Sequence, residues 1–257
     1  MILRSVTKHV KDQNWFAVFL DLLIVVVGVF IGIEVSNWNE QIAGKKQAQV
    51  LIKRVYEDLN NDILSMTAEL EYQAVVRKYA MTAVDALNGE NTVSDEQFVI
   101  GAYQASQING VWSNRATYNE MLSTGQINLI KDEQLKGMIF GYYALDFASI
   151  PLITKMAPYR EFIRGHMPVV IQDAIKAQCG DVTFKLANSF TATLPPTCDL
   201  DLADEVLSEA ADLLRSLPEM KFNLNFQIAV NDAKVINFQF YIKECKNLLA
   251  VIKAHQP

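Results

Sequence analysis

The sequence predicts a mainly all-α fold: one N-terminal transmembrane helix that continues into a long amphipathic helix and a helical-bundle domain, with a small β-hairpin near residues 181–194. Three observations predict it. An apolar run lies near the N-terminus, apolar positions then recur every three and four residues, and capping residues and prolines divide the rest into helix-length segments. The chain has 257 residues, 51% of them hydrophobic, so it can bury a sizeable core.

The first element is an apolar run at 16–33, in which Asp21 is the one residue that is neither apolar nor glycine. At 1.5 Å per residue the run spans roughly 27 Å, just enough for a bilayer core of about 30 Å. Trp15 and Trp38 bracket it, roughly 35 Å apart, as two interfacial anchors would. A removable signal peptide is the competing interpretation, but no small-x-small cleavage pattern follows. We therefore expect a retained transmembrane helix at 15–38.

Basic residues flank this helix unequally. Arg4, Lys8 and Lys11 precede it, whereas Lys45 and Lys46 follow it. The positive-inside rule then favours a cytoplasmic N-terminus. We expect three parts: a cytoplasmic tail at 1–14, the transmembrane helix at 15–38 and a helical extracytoplasmic domain at 39–257.

Asp21 shares one helical stripe with Val25, Gly28 and Gly32. A helix turns by 100° per residue, so both glycines lie within about 20° of Asp21. Two glycines four residues apart let helix backbones approach closely, so we expect the stripe to contact another membrane helix. Asp21 either sets the depth of the helix or bonds its neighbour; alternatively, it titrates as part of an ion-driven assembly.

The second element is a long helix that ends at Asn88-Gly89 and contains no proline. We expect Gly44 to be a hinge between the membrane and the domain. The acidic and amide residues of "NNDI", at 60–63, are interpreted as solvated, because they lack the alternating ligands of a calcium loop. The predicted buried stripe of this helix consists of Ala48, Leu51, Val55, Leu59, Ile63, Met66 and Leu70.

Capping residues and prolines predict the remaining helices. They are expected over 95–107, opened by the capping box at Ser94; 113–125, closed by Gly125; 132–149, opened by Asp132; 167–178; 202–217, capped by Asp199 or Asp201; and 221–255. The last segment begins with strand-like alternation, but its length without glycine or proline favours one long helix.

Cys179 and Cys198 bracket a turn-rich stretch that could fold back on itself. A disulfide between them would close a short loop, worth about 3 kcal/mol, and would place the domain in an oxidising compartment. Two buried, reduced cysteines are the alternative. Cys245 lies on a predicted helix and is expected to be an apolar filler.

No recognised motif for catalysis or for metal binding is found in the sequence. His9, His166 and His255 are far apart, no CxxC pair is present, and we expect neither a metal site nor a cofactor. Nucleotide-binding and nucleophile-elbow motifs are also missing, so enzymatic activity is uncertain and not our expectation. A net charge of -6 argues against nucleic acid as a partner, since lysine and arginine carry most of that binding.

The segment "LIVVVGVFIGIEVSNWNE", followed by a helix with "RVYEDLNND", resembles the start of an uncharacterised family of bacterial proteins with one N-terminal membrane helix. In that pattern an acidic residue, an apolar run, a glycine and "WN" follow in order, as do Asp21, Gly28 and Trp38-Asn39 here. "STGQINLIKDEQL", followed by paired tyrosines, is similar to a second stretch of the family. With the charge pattern, the resemblance implies a bacterial inner-membrane protein with a periplasmic domain; it implies no activity.

These observations favour a membrane-anchored helical interaction or sensing module of unknown ligand. Membrane lipid and a second copy of the chain are its expected partners, and another membrane protein is the alternative partner. The competing hypothesis is a subunit of an ion-conducting or ion-driven assembly that uses Asp21. Its topology is similar to that of ion-powered stator partners, although the peptidoglycan-binding signature and the compact α/β domain of those proteins are missing. An enzyme with no recognisable motif is the third hypothesis.

Overall fold

The computed structural model describes residues 15–89, 93–154 and 156–254 and has the predicted, mainly helical architecture. Its helices are α1 (Trp15–Leu87), α2 (Asp95–Gln104), α3 (Ala116–Ser123), α4 (Glu133–Ala144), α5 (Pro151–Thr154), α6 (Tyr159–His166), α7 (Val169–Cys179), α8 (Asp204–Ser216) and α9 (Met220–Ala254). The predicted hairpin is present as β1 (Val182–Leu186) and β2 (Ser189–Thr193), paired antiparallel. The tail predicted at 1–14 lies outside the described residues.

Helix α1 dominates the fold. Its 73 residues extend over about 110 Å. The prediction of a hinge at Gly44 is wrong, because α1 passes through Gly44 without a break. A Cβ atom at Gly44 would lie 3.5 Å from Leu129 Cδ2, an ordinary van der Waals distance, so Gly44 faces the Gln126–Leu129 3-10 helix without being required there. The helix ends as predicted, with Gly89 in the left-handed region at a φ of 84°.

Three of the predicted helix boundaries are confirmed by their local contacts. Ser94 forms a complete capping box with Gln97 at the start of α2. The Asp132 carboxylate accepts a hydrogen bond from the backbone N–H of Leu135 and opens α4. Gly125 takes a left-handed conformation just after α3, at a φ of 72°. Local polar residues thus specify these ends.

Other boundaries differ from the prediction: α2 ends at Gln104 and not at 107, and α3 begins at Ala116 and not at 113. Helix α4 ends at Ala144 rather than near Ser149, and a 3-10 turn at Phe147–Ser149 follows it. The N-cap of α8 is Ala203, without a side-chain hydrogen bond, so neither Asp199 nor Asp201 caps that helix. The chain before α8 is held elsewhere, since the backbone N–H of Leu200 donates to the Glu96 carboxylate at 2.6 Å.

Helix α9 lies antiparallel against α1. Near the far end of α1, Lys221 Nζ donates to Asn88 Oδ1 at 2.7 Å, and Cys245 Sγ donates to the Leu59 carbonyl nearer the apolar segment, at 3.2 Å. Cys245 is buried, as expected of an apolar filler. The two long helices therefore form one framework, against which the shorter elements pack.

Two hydrophobic cores lie along this framework. The proximal core, nearer the apolar segment, contains α1 from Leu51 to Met66 with α3, α4 and the second half of α9. The distal core contains α1 from Tyr72 to Ala86 with α2, α6, α7 and α8. The predicted stripe on α1 is confirmed up to Met66, except that Ile63 is only partly buried.

Candidate functional site

The predicted membrane stripe lies on the exposed half of α1. Among the described residues, α1 alone contains a segment long and apolar enough to cross a membrane, and none of that segment is buried. Trp15 and Trp38 are 73% and 64% exposed at its two ends. A Cβ atom at Gly28 or Gly32 would meet no atom within 4 Å. The glycine face is therefore open to a partner outside the described chain.

The structure joins Cys179 and Cys198 in a disulfide, with the two Cα atoms 5.6 Å apart. Cys179 is the last residue of α7 and is buried in the distal core. Its carbonyl accepts a hydrogen bond from Gln104 Nε2 at 2.7 Å. The disulfide fixes both ends of the segment at 179–198, which contains the hairpin.

A cavity of about 360 Å³ lies at the junction of the two cores. It is lined by Glu69 of α1 and Lys234 and Phe238 of α9, with wall residues from the loop at 105–115 and from the segment around α5. We call the loop at 105–115 the rim loop. Its apolar wall residues, with those of the α5 segment, are Ile108, Val111, Trp112, Ala148, Ile153 and Met156. The volume is within the range of about 300 to 1,000 Å³ typical of small-ligand sites.

Glu69 is the unusual residue of this cavity, because it is a carboxyl group only 2% exposed. Its Oε1 atom accepts a hydrogen bond from Gln73 Nε2 at 2.8 Å, whereas Oε2 is buried and has no hydrogen-bond partner among the described residues. Burial raises the pKa of Glu69 to about 7, although Gln73, Lys234 and Asn109 favour the charged form. A proton is thus exchanged near neutral pH.

Lys234 supplies the second charge of the cavity. It is buried on α9, and this burial lowers the pKa of its ammonium group, while the nearby carboxyl of Glu69 raises it. The two residues belong to a polar seam of buried side chains on α1 and α9, which consists of Glu69, Gln73, Gln227, Asn231 and Lys234. Two further atoms of this seam, Gln73 Oε1 and Asn231 Nδ2, are buried without a partner among the described residues. Such a concentration of unpaired polar atoms is uncommon in a structural core.

Two of the contacts that hold the rim loop involve Asn109 and Asn114. Asn109 Nδ2 donates to Thr191 Oγ1 of β2 at 3.1 Å. Asn114 donates from both its backbone N–H and its Nδ2 to Asp62 Oδ1, each at 2.8 Å. Tyr142 Oη donates to the other oxygen of the same carboxylate at 2.9 Å. Asp62 therefore joins the loop to α1 and α4.

This arrangement corrects the interpretation of "NNDI" as solvated. Asp62 is 0% exposed, and burial raises its pKa, although its three hydrogen bonds lower it. Asp58, one turn earlier on α1, also has its pKa raised by burial. The predicted stripe missed both Asp62 and Glu69, because it admitted only apolar residues. A seven-residue repeat of buried positions would have included both. The buried positions of α1 with this repeat are Ala48, Val55, Asp62, Glu69, Val76 and Ala83.

No group of three or more histidine, cysteine or acidic side chains that could hold a metal ion is found in the part of the chain that the structure describes. The ionisable side chains identified in the cavity are one carboxyl and one ammonium group. The arrangement can bind opposite charges at its floor and apolar groups along its walls.

The comparisons with known proteins give a family but no activity. The model of a family of unknown function, DUF6090, matches residues 21–150. That range contains Glu69 and the rim loop and stops before Lys234. No curated protein and no solved structure matches the chain.

Proposed function

Because the chain belongs to the DUF6090 family, whose function is unknown, we propose a function from its geometry: a membrane-anchored sensing module that binds a small ligand in the Glu69 cavity. One observation carries the proposal. The same unbroken helix, α1, contains the apolar segment and the buried, incompletely paired Glu69. A ligand that changes the packing of Glu69 acts directly on the helix that enters the membrane.

The distance involved is long but uninterrupted. Glu69 follows Trp38 by 31 positions, which corresponds to about 46 Å along the helix. No proline occurs in α1, and its one glycine between Trp38 and Glu69, Gly44, packs against Leu129. A rigid helix of this kind transmits a small displacement at the cavity to its membrane end.

The disulfide supports a location for the domain. Disulfides persist in oxidising compartments, and three basic residues precede the apolar run. We place the N-terminus in the bacterial cytoplasm, the segment at 15–38 in the inner membrane and the helical domain in the periplasm. A reporter that matures only outside the cytoplasm, fused after residue 257, should then be active; a silent fusion would reverse the orientation.

Ligand binding is testable through Trp112, which lies at the cavity and is 67% exposed. Replacing Trp15 and Trp38 by Phe leaves Trp112 as the only one of the three tryptophans. We expect a dialysable small-molecule extract of bacterial cells to change the emission of Trp112 in a saturable way. Ala148→Phe adds a ring to the wall of the cavity and should weaken this response at least about ten-fold.

The matched control is Ala144→Phe, which adds the same ring at an exposed position near the end of α4. This variant should respond like the parent chain. An unchanged emission with the extract would overturn the proposal. So would an equal response from the Ala148→Phe and Ala144→Phe variants, because the ligand would then bind outside the cavity.

A second function, self-association in the membrane, is favoured by the open glycine face of α1. This face is the stripe of Asp21, Val25, Gly28 and Gly32. No atom of the described residues lies within 4 Å of a Cβ built at either glycine, which permits close approach of a second helix. We expect Gly28→Leu to reduce the detergent-solubilised particle to one chain, measured by light scattering. Val26→Leu, on the opposite side of the helix, is the control and should leave the mass unchanged. An equal mass for both variants would contradict pairing through this face.

A further inference from the structure

We infer that the Glu69 cavity binds a small zwitterion with an apolar side chain, of the class of apolar α-amino acids. The inference rests on the proposed function, since it names the ligand of the same cavity. It follows from the two charges of the cavity, from its apolar wall and from its volume.

The carboxyl of Glu69 has one oxygen that accepts no well-formed hydrogen bond from the part of the chain that the structure describes, although the Asn109 side chain lies near enough to favour its charged form. Gln73 occupies Oε1, whereas Oε2 is buried without a partner among the described residues. An ammonium group carries three N–H donors and no acceptor, so it satisfies a carboxylate oxygen that lacks a donor. A charge-assisted hydrogen bond of this kind is about twice as strong as a neutral one.

The buried ammonium group of Lys234 requires a negatively charged group on the ligand. Its ammonium group is buried at the same cavity, and burial of a charge is costly unless that charge is paired. A ligand with only an ammonium or only a carboxylate would pair one of these two residues and desolvate the other. A zwitterion pairs both and leaves the net charge of the cavity unchanged.

The wall of the cavity defines the rest of the ligand. Trp112, Met156 and Phe238 contribute large apolar or aromatic surfaces, and Ile108, Val111 and Ile153 add aliphatic ones. A volume of about 360 Å³ is near the lower limit for small-ligand sites, so it suits a compact molecule with one apolar side chain. A zwitterion without such a side chain would leave this wall wet.

Four probes separate these requirements by calorimetric titration of the full-length protein in detergent at about pH 8, above the pKa of Glu69. They are L-phenylalanine, phenylethylamine without the carboxylate, 3-phenylpropionate without the ammonium group, and glycine without the apolar side chain. We expect L-phenylalanine to bind at least ten-fold more tightly than each of the other three. Glu69→Gln and Lys234→Met should each weaken its binding at least ten-fold, whereas Ala144→Phe should not.

The outcomes distinguish the ligand class from the proposed function. If phenylethylamine or 3-phenylpropionate binds as tightly as L-phenylalanine, the zwitterion is wrong and the cavity still binds ligand. If no probe binds but the cell extract changes Trp112 emission, the ligand class is wrong and the proposed function stands. If neither the probes nor the extract has an effect, both are overturned.

Discussion

Replacement of Glu69 by Gln is expected to raise the free energy of unfolding at about pH 8 by up to about 3 kcal/mol. The substitution preserves the shape of the side chain and the hydrogen bond with Gln73. It removes the free-energy difference that arises from ionising a buried carboxyl group. The gain remains below this limit, because Lys234 loses the attraction of the Glu69 charge and the new amide group would have buried donors without an acceptor.

The direction follows from proton binding. The pKa of Glu69 rises from an ordinary value of 4.5 to about 7 in the folded chain. Between these values the folded chain holds a proton that the unfolded chain has lost. The stabilisation is therefore fully present below pH 4.5, declines as the pH rises and is lost above about 7. Glu69→Gln should remove the part of the decline that Glu69 causes.

Denaturant unfolding of the full-length protein in detergent, followed by circular dichroism at several pH values, measures the effect. Glu71→Gln is the control, because Glu71 is an exposed glutamate on the same helix. Asp58 and Asp62 remain in both variants and also have raised pKa values, so stability should still decline with pH in each. A Glu69→Gln variant with the same pH dependence as Glu71→Gln would show that the carboxyl of Glu69 is not desolvated.

Asp62→Ala is expected to lower the free energy of unfolding by at least about 3 kcal/mol. Three donors lose their acceptor at once: the backbone N–H and Nδ2 of Asn114 and the hydroxyl of Tyr142. Each buried donor left unpaired costs about 1–3 kcal/mol. Because Asn114 holds one end of the rim loop, amide hydrogen exchange in the loop should also become faster.

The control for this variant is Asp173→Ala. Asp173 is exposed and pairs with Lys176 at 3.1 Å, an interaction worth about 1 kcal/mol or less. Tyr142→Phe, alone and combined with Asn114→Ala, separates the two sets of donors in a double-mutant cycle. If Asp62→Ala is no less stable than Asp173→Ala, or if the rim loop keeps its exchange rates, Asp62 does not anchor the loop.

Much of the fold could be predicted because its signals are local. The capping box at Ser94, the N-cap at Asp132 and the left-handed Gly125 each depend on neighbours within a few residues. Whether Gly44 forms a hinge could not be judged from such local signals. Gly44 is part of a continuous helix and faces Leu129, a neighbour that is distant in sequence and adjacent only in the folded chain.

The cavity could not be predicted from local sequence patterns either, because its residues are distant in sequence. Glu69, Asn109 and Lys234 come from α1, the rim loop and α9, and only the antiparallel packing of the two long helices brings them together. An amphipathic pattern assigns charged residues to solvent, so it excluded Asp62 and Glu69 from the core. Both obey the seven-residue spacing of the buried positions, and this geometry outweighs their polarity.

The continuity of α1 also fixes a direction around its axis. At about 100° per residue, Glu69 points about 140° away from Gly28. If two copies pair through their glycine faces, their Glu69 side chains are directed towards the outside of the pair and not towards each other. Each cavity would then take up its ligand independently from the surrounding solvent. Binding of a first ligand would affect the second cavity only through the paired helices.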